Sequence, residues 1–301
     1  MDPLIVHHKL LQKDINTSEN KRINGVLFPT VVFTPAFLTE EWHNFVFTDE
    51  DVLLLTYPKS GTNWMVEILS LIHSKGDPKW IQSVPIWDRS PWIETEDGYD
   101  MLKDTKGPRM MCSHLPIQFL PKSLFNAKVK MIYVIRNPRD VIVSGHFFWK
   151  GLKYVQEAES MEQYFDWFLE GNVPYGSWFD HMHGWIPMRD RENFLLLSYE
   201  ELKKDTRRSV QKICQFLGVE LEPEALDSVL ENSSFQAMKG NRMSNYSLLD
   251  GIGIDLKTSA MMRKGVSGDW KNHLTVAQAE IFDEIYQEKM KSLPPELFPW
   301  D

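Results

Sequence analysis

The segment LLLTYPKSGTNW, residues 53–64, sets one lysine and one glycine among hydroxyl and amide side chains directly after an apolar run. Lys59 would supply a full charge, and Ser60, Thr62 and Asn63 neutral hydrogen bonds. Gly61 would let backbone N–H groups approach an oxygen closely. A helix starting at about Thr62 would aim its positive end at the same point. Such a group holds an oxyanion. His114 could take a proton from an alcohol, whose own pKa lies far above 7. Arg136, Asn137, Arg139 and Tyr199 also fall just after apolar runs. The ATPase loop G-x-x-x-x-G-K-[ST] is a different device: here the lysine precedes the glycine, and no Gly-Lys dipeptide occurs in the chain.

These side chains need elements to carry them. DVLLLTYP (51–58) reads as a buried strand, and Thr62 to Ser74 as the helix after it, with Met65, Ile68, Leu69 and Ile72 on one face. RMMCSHLP (109–116), KVKMIYVIRNP (128–138) and NFLLLSYEEL (193–202) read as further strands. Pro138 suits the first turn of a helix continued by Val141, Ile142 and Phe148. A helix with the apolar face Val210, Ile213, Cys214 and Leu217 stops at Gly218. Near-continuous apolar strands alternating with helices predict a single α/β domain, doubly wound, with a central parallel sheet flanked by helices. It spans 21–301, behind a polar tail at 1–20. Ligands of such sheets bind at the C-terminal ends of the strands, where the residues above fall. The stretch 243–264 lacks periodicity and reads as a lid or binding loop.

The formal net charge of −9 over 301 residues argues against a nucleic-acid partner. A cationic group on such a chain is a local pocket. Cys112 and Cys214 make neither a disulfide framework nor a metal quartet. His181 and His183 lack a carboxylate or cysteine partner at useful spacing, so no metal is expected. No run reaches the ~20 apolar residues of a membrane helix. Charges and amides stand near the N-terminus where a signal peptide has its apolar core. A cytoplasmic location without a membrane partner is expected. The 11 Trp and 14 Met suit a core first and an apolar ligand pocket second.

TYPKSGTNW is similar to the 5′-phosphosulfate loop of the cytosolic sulfotransferases. That family transfers a sulfuryl group from 3′-phosphoadenosine 5′-phosphosulfate (PAPS) to an alcohol, phenol or amine. SHLP (113–116), IRNPRDVIVSGHFFW (135–149) and RKGVSGDWKNHLT (263–275) resemble further motifs of the family, in its order. The likeness runs from FPT (28–30) to LFPW (297–300), and SVPIWDRSPW and NSSFQAMKGNRMSNYSLL are most similar to the hydroxysteroid subgroup.

The resemblance implies PAPS as cofactor, without a metal. Lys59, Ser60, Gly61, Thr62 and Asn63 would hold the 5′-phosphosulfate, and Trp64 would face the adenine. Arg136 and Ser144, with Arg263, Lys264 and Gly265, would grip the 3′-phosphate. Tyr199 and the stretch Ser233, Ser234, Phe235, Gln236, Ala237 and Met238 would bind the adenosine. His114 would be the catalytic base, and Lys59 would offset charge on the departing phosphate. The acceptor would lie among Trp87, Trp92, Phe148, Trp149, Tyr246 and the loop 246–262. A hydroxysteroid, sterol or bile acid leads as acceptor, with small phenols or amines as the alternative. A non-catalytic sterol or nucleotide carrier would have lost His114 or Lys59.

Lys271, Thr275, Val276 and Glu280 resemble the family's K-x-x-x-T-V-x-x-x-E dimer motif, which implies a homodimer. The same residues also fit a helix start capped by Thr275. Cys112 stands where many relatives carry a lysine, which removes a second cation from the acceptor side.

Overall fold

A hairpin precedes the main sheet: β1 (Lys21–Ile23) pairs antiparallel with β2 (Val26–Phe28). Its turn is Asn24-Gly25, both at positive φ (48° and 83°). That is the backbone an Asn-Gly pair adopts most readily, although the apolar patterning left this hairpin unassigned. The computed structural model describes residues 21–29, 40–152, 155–252, 254–259 and 261–300; the tail expected at 1–20 lies outside them.

The centre is four parallel strands: β3 (Val52–Thr56), β4 (Met110–Ser113), β5 (Lys130–Ile135) and β6 (Phe194–Ser198), in the order β4-β3-β5-β6. Leu54 stands opposite Cys112 on one side and Ile132 on the other. Both faces are covered, so Leu53 to Leu55 and Met131 to Ile135 are fully buried, which is why these strands read as unbroken apolar runs.

Each strand end turns into a functional segment. β3 leads through 57–61 into the helix Thr62–His73, and β5 into the helix Pro138–Trp149. The Asn137 side chain caps the latter by accepting from the Arg139 amide at 3.0 Å, with Pro138 in the first turn. β6 ends at Ser198, which forms a reciprocal capping box with Glu201 and starts the helix Tyr199–Lys204. The amphipathic helix Thr206–Leu217 follows and closes on Gly218 at φ 73°.

The aperiodic stretch after 243 consists mainly of turns, with one short 3-10 helix, Ser247–Leu249. It is pinned at its base. The Ser244 hydroxyl lies 2.9 Å from both carboxylate oxygens of Glu67, which is paired with Arg89 at 2.7 Å in a fully buried ion pair. No helix among the described residues is long and apolar enough to cross a membrane.

Candidate active site

The turn after β3 is built to leave backbone N–H groups free. Lys59 and Gly61 both have positive φ (70° and 105°). A Cβ on Gly61 would lie 2.8 Å from a ring carbon of Tyr199, so sterics as well as φ demand glycine. The helix beginning at Thr62 has no side-chain cap and no acid in its first turn. Its first amides have no intrahelical partners, so its positive end suits an anion from outside the chain.

His114, the first residue beyond β4, is held on every side. Its Nδ1–H donates to the Thr56 main-chain oxygen at 2.7 Å, beside the Thr56 hydroxyl at 3.0 Å, which in turn touches the Thr62 hydroxyl at 2.7 Å. Its amide donates to Glu94 Oε1 at 2.8 Å, and its carbonyl accepts from His181 Nε2 at 3.2 Å. The rings of Trp92 and Tyr175 stand 4.4 Å and 5.1 Å from the imidazole. Burial, with His181 and Lys59 nearby, lowers its pKa to about 3 against the pull of the Thr56 carbonyl. His114 is therefore a neutral imidazole with its lone pair on Nε2. His181 is buried and neutral too, its Nδ1 taken by the Tyr133 hydroxyl at 2.8 Å, while His183 Nε2 lies 2.7 Å from the Lys289 carbonyl on a separate contact.

The cations converge from three segments. Lys59 Nζ lies over the Phe148 ring, 3.6 Å from its centroid. Burial, then Arg136 and Arg263, lower its pKa to about 7. Arg136 stacks on Tyr199 at 4.3 Å and donates to the carbonyls of Lys59 (2.9 Å) and Val266 (3.2 Å). Arg263 and Lys264 both bind Asp269, at 2.5 Å and 2.8 Å. Although burial opposes it, Lys264, Asn272 and Arg263 hold that carboxyl far below the usual carboxylate range. Asp140 secures the same stretch by accepting from the amides of Gly268 (2.6 Å) and Trp270 (3.0 Å).

One cavity of about 550 Å³ joins these groups. Its lining includes Lys59, Gly61, Thr62, Asn63, Trp64, His114, Arg136, Ser144, Tyr199, Phe235, Met238, Arg263, Lys264 and Gly265. All five aromatics expected around the acceptor line it as well: Trp87, Trp92, Phe148, Trp149 and Tyr246. From the loop 246–262 come Leu249, Ile254, Met261 and Met262, while Gly253 and Ala260 lie outside the described residues. Asn63 ties that loop to the first helix, accepting from the Tyr246 hydroxyl at 3.2 Å and reaching Met261 Sδ at 3.5 Å.

Other expected residues stand apart from the cavity. Ser60 is fully buried beneath the turn. Ser233 ends the helix Pro223–Asn232 and Ser234 caps the next, so their place follows from helix geometry. Gln236 and Ala237 do not line the cavity either. Arg139, grouped from sequence with the strand-end cations, turns away to Asp283 and packs on Trp270 and Phe282. Residues that sequence reasoning missed are Thr56, Glu94 and Tyr175 around the imidazole, and Asp88, Asp97 and Met101 on the cavity wall. Thr56 lies within TYPKSGTNW and Asp88 within SVPIWDRSPW, and Glu94 follows two residues after Trp92. No group of three or more possible metal ligands occurs among the described residues.

The model of the sulfotransferase domain matches residues 49–294. The chain belongs to the sulfotransferase family. It is 64% identical over 277 residues to sulfotransferase 2A1 of Macaca fascicularis, covering 92% of this chain and 97% of that one. It is 60% identical over 279 residues to a 3-beta-hydroxysteroid sulfotransferase of Cavia porcellus, covering 92% and 96%. The crystal structure of mouse sulfotransferase SULT7A1 complexed with PAP superposes with a TM-score of 0.76 at 29% identity, covering 91% of this chain and 95% of that one. In this sulfotransferase Cys112 is buried, its thiol 3.2 Å from the Ser90 carbonyl, and it contributes nothing to the cavity wall.

Proposed function

We propose that this sulfotransferase moves the sulfuryl group of PAPS to the hydroxyl of a lipophilic alcohol, with hydroxysteroids and related sterols or bile acids as the acceptor class. One observation carries the reading. A neutral histidine with its lone pair on Nε2 shares a cavity with a cationic turn and an aromatic wall. The Cavia porcellus relative is named for 3-beta-hydroxysteroids, and the mouse structure holds PAP, which supports the same ligands here. The uncapped helix start, free of acids, and the missing Cβ at Gly61 fit a bound phosphosulfate.

When bound, PAPS supplies the sulfuryl group. Lys59, Gly61, Thr62 and Asn63 would hold its 5′ end. Arg136, Ser144, Arg263 and Lys264 would read the 3′-phosphate, while Trp64, Tyr199, Phe235 and Met238 would enclose the adenosine. His114 Nε2 takes the acceptor's hydroxyl proton, and Thr56, by holding Nδ1–H, leaves the lone pair on that nitrogen. Lys59 as ammonium offsets charge on the leaving oxygen. Trp87, Trp92, Phe148, Trp149 and Tyr246 exclude water and hold a rigid apolar body.

The self-association reading, a homodimer through Lys271, Thr275, Val276 and Glu280, is supported by an exposed Val276, and a cytoplasmic location by the resemblance of TYPKSGTNW to the loop of the cytosolic sulfotransferases. Mass spectrometry tests the reaction: incubate the chain with PAPS and a 3β-hydroxysteroid, a bile acid, a small phenol or an amine. Sulfated steroid is expected. Product from the phenol alone would replace the acceptor class, and no product from any acceptor would remove the activity.

A further inference from the structure

The histidine's surroundings contain a buried acid that the transfer chemistry does not use. The segment Pro91–Glu94 runs alongside β4. The Cys112 amide donates to the Pro91 carbonyl at 3.0 Å, and the Ile93 amide to the Cys112 carbonyl at 3.1 Å. Trp92 is bridged in parallel to Cys112. Extended backbone sends alternate side chains to opposite sides. Ile93 goes into the core, and Trp92 and Glu94 face His114 together. Trp92 lies against the imidazole at 4.4 Å, while Glu94 Oε1 accepts the His114 amide at 2.8 Å.

β4 ends at Ser113, so no strand takes up the polar main chain of His114. Side chains do so instead. Glu94 takes the N–H and His181 supplies a donor to the C=O. With Nδ1 bound to Thr56, the residue is fixed at three points and Nε2 alone is left for chemistry.

We infer that Glu94 is a positioning residue for the transfer: by fixing the main chain of His114 it aims Nε2 at the acceptor hydroxyl. The inference rests on His114 being the base. A side chain that merely filled space here would be apolar, because burying a carboxyl is costly. Glu94 is almost wholly buried, with Ser113 and Tyr175 beside it, and burial pushes its carboxyl up to about 7. The hydrogen bond to His114 requires only an acceptor oxygen at Oε1, which an amide also provides.

Glu94→Ala, Glu94→Gln and His114→Ala, each in the full chain, test this with PAPS and a 3β-hydroxysteroid. Misplacing a reacting group by about 1 Å can cost roughly 10²-fold. Glu94→Ala should therefore lower kcat by about 10- to 100-fold, with PAP affinity and acceptor KM within about twofold of wild type. Glu94→Gln should keep kcat within about threefold. Wild-type kcat in Glu94→Ala overturns the inference, and so does a Glu94→Gln variant as impaired as Glu94→Ala. Should Glu94→Ala fail to fold, Glu94→Asp, whose carboxylate falls one methylene short, takes its place with the same expectations. Wild-type turnover in His114→Ala would instead remove the base assignment itself, which keeps the two failures apart.

Discussion

His114 Nδ1 lies 2.7 Å from the main-chain oxygen of Thr56, the last residue of β3. A carbonyl oxygen can only accept, so the ring proton sits on Nδ1 and the lone pair on Nε2. The strand that ends in Thr56 continues directly into the Lys59 turn. One short piece of backbone therefore sets both the tautomer of His114 and the position of the Lys59 turn.

His114→Asn separates these roles. The asparagine amide can still donate to Thr56, but it has no basic nitrogen. Turnover should fall by roughly 10²-fold or more, a usual share for a general base, with PAP affinity unchanged in calorimetry. Normal turnover would exclude His114 as the base.

Lys59 predicts a proton linkage. With its pKa lowered to about 7, the amine is largely neutral at pH 8.5 in the absence of nucleotide. A bound anion favours the ammonium form and raises that pKa, so binding above pH 7 must take up a proton. PAP affinity should fall as pH rises from about 7 to 9. Titration calorimetry in buffers of different ionisation heat should show uptake approaching one proton at pH 8.5. Lys59→Arg, whose charge does not titrate, should bind without that uptake; unchanged uptake would place the linkage elsewhere.

The residues legible in the sequence are those whose position follows from local order. Lys59, His114, Arg136 and Tyr199 stand at strand ends, and strand ends can be read from apolar runs. Contacts between distant segments could not be read this way. Glu94 meets a residue 20 positions away, and Thr56 one 58 positions away. Arg139 went astray for the same reason, since its partner Asp283 lies 144 positions on. The Asn24-Gly25 hairpin was readable, but its strands are too short for an alternation pattern to register.

Val276 is 76% exposed at the first position of the helix Val276–Met290. The capping box of Thr275 and Gln278 accounts for the threonine and leaves the bare valine unexplained. A two-fold contact with Val276 at its centre would cover it, with Lys271 facing Glu280 across the axis. Wild type should be a dimer in light scattering, and Val276→Glu a monomer, because like charges would meet at the axis. A monomeric wild type would exclude this patch.

On the proposed reading, the choice of PAPS over other adenine nucleotides would come from the 3′-phosphate, because the turn 59–63 would suit any 5′-phosphoryl group. Arg136, Ser144, Arg263 and Lys264 all line the cavity, and two of them share an internal partner. Arg263 and Lys264 are held by Asp269, so they are preset as a pair. Arg136 is different: its Nη atoms donate to the Lys59 and Val266 carbonyls, and its Nε has no protein acceptor. It therefore joins the Lys59 turn to the segment 263–266 and still has a donor to offer. Losing a charge-assisted hydrogen bond costs about 1.5–3 kcal/mol, or roughly one to two decades of affinity. Arg136→Ala should weaken 3′,5′-PAP by that amount. Binding of 5′-AMP should change by less than about threefold, the share expected from loosening the Lys59 carbonyl. Calorimetry with both nucleotides decides the matter, because an equal loss for each would mean that Arg136 shapes the turn and leaves the 3′-phosphate to Arg263 and Lys264.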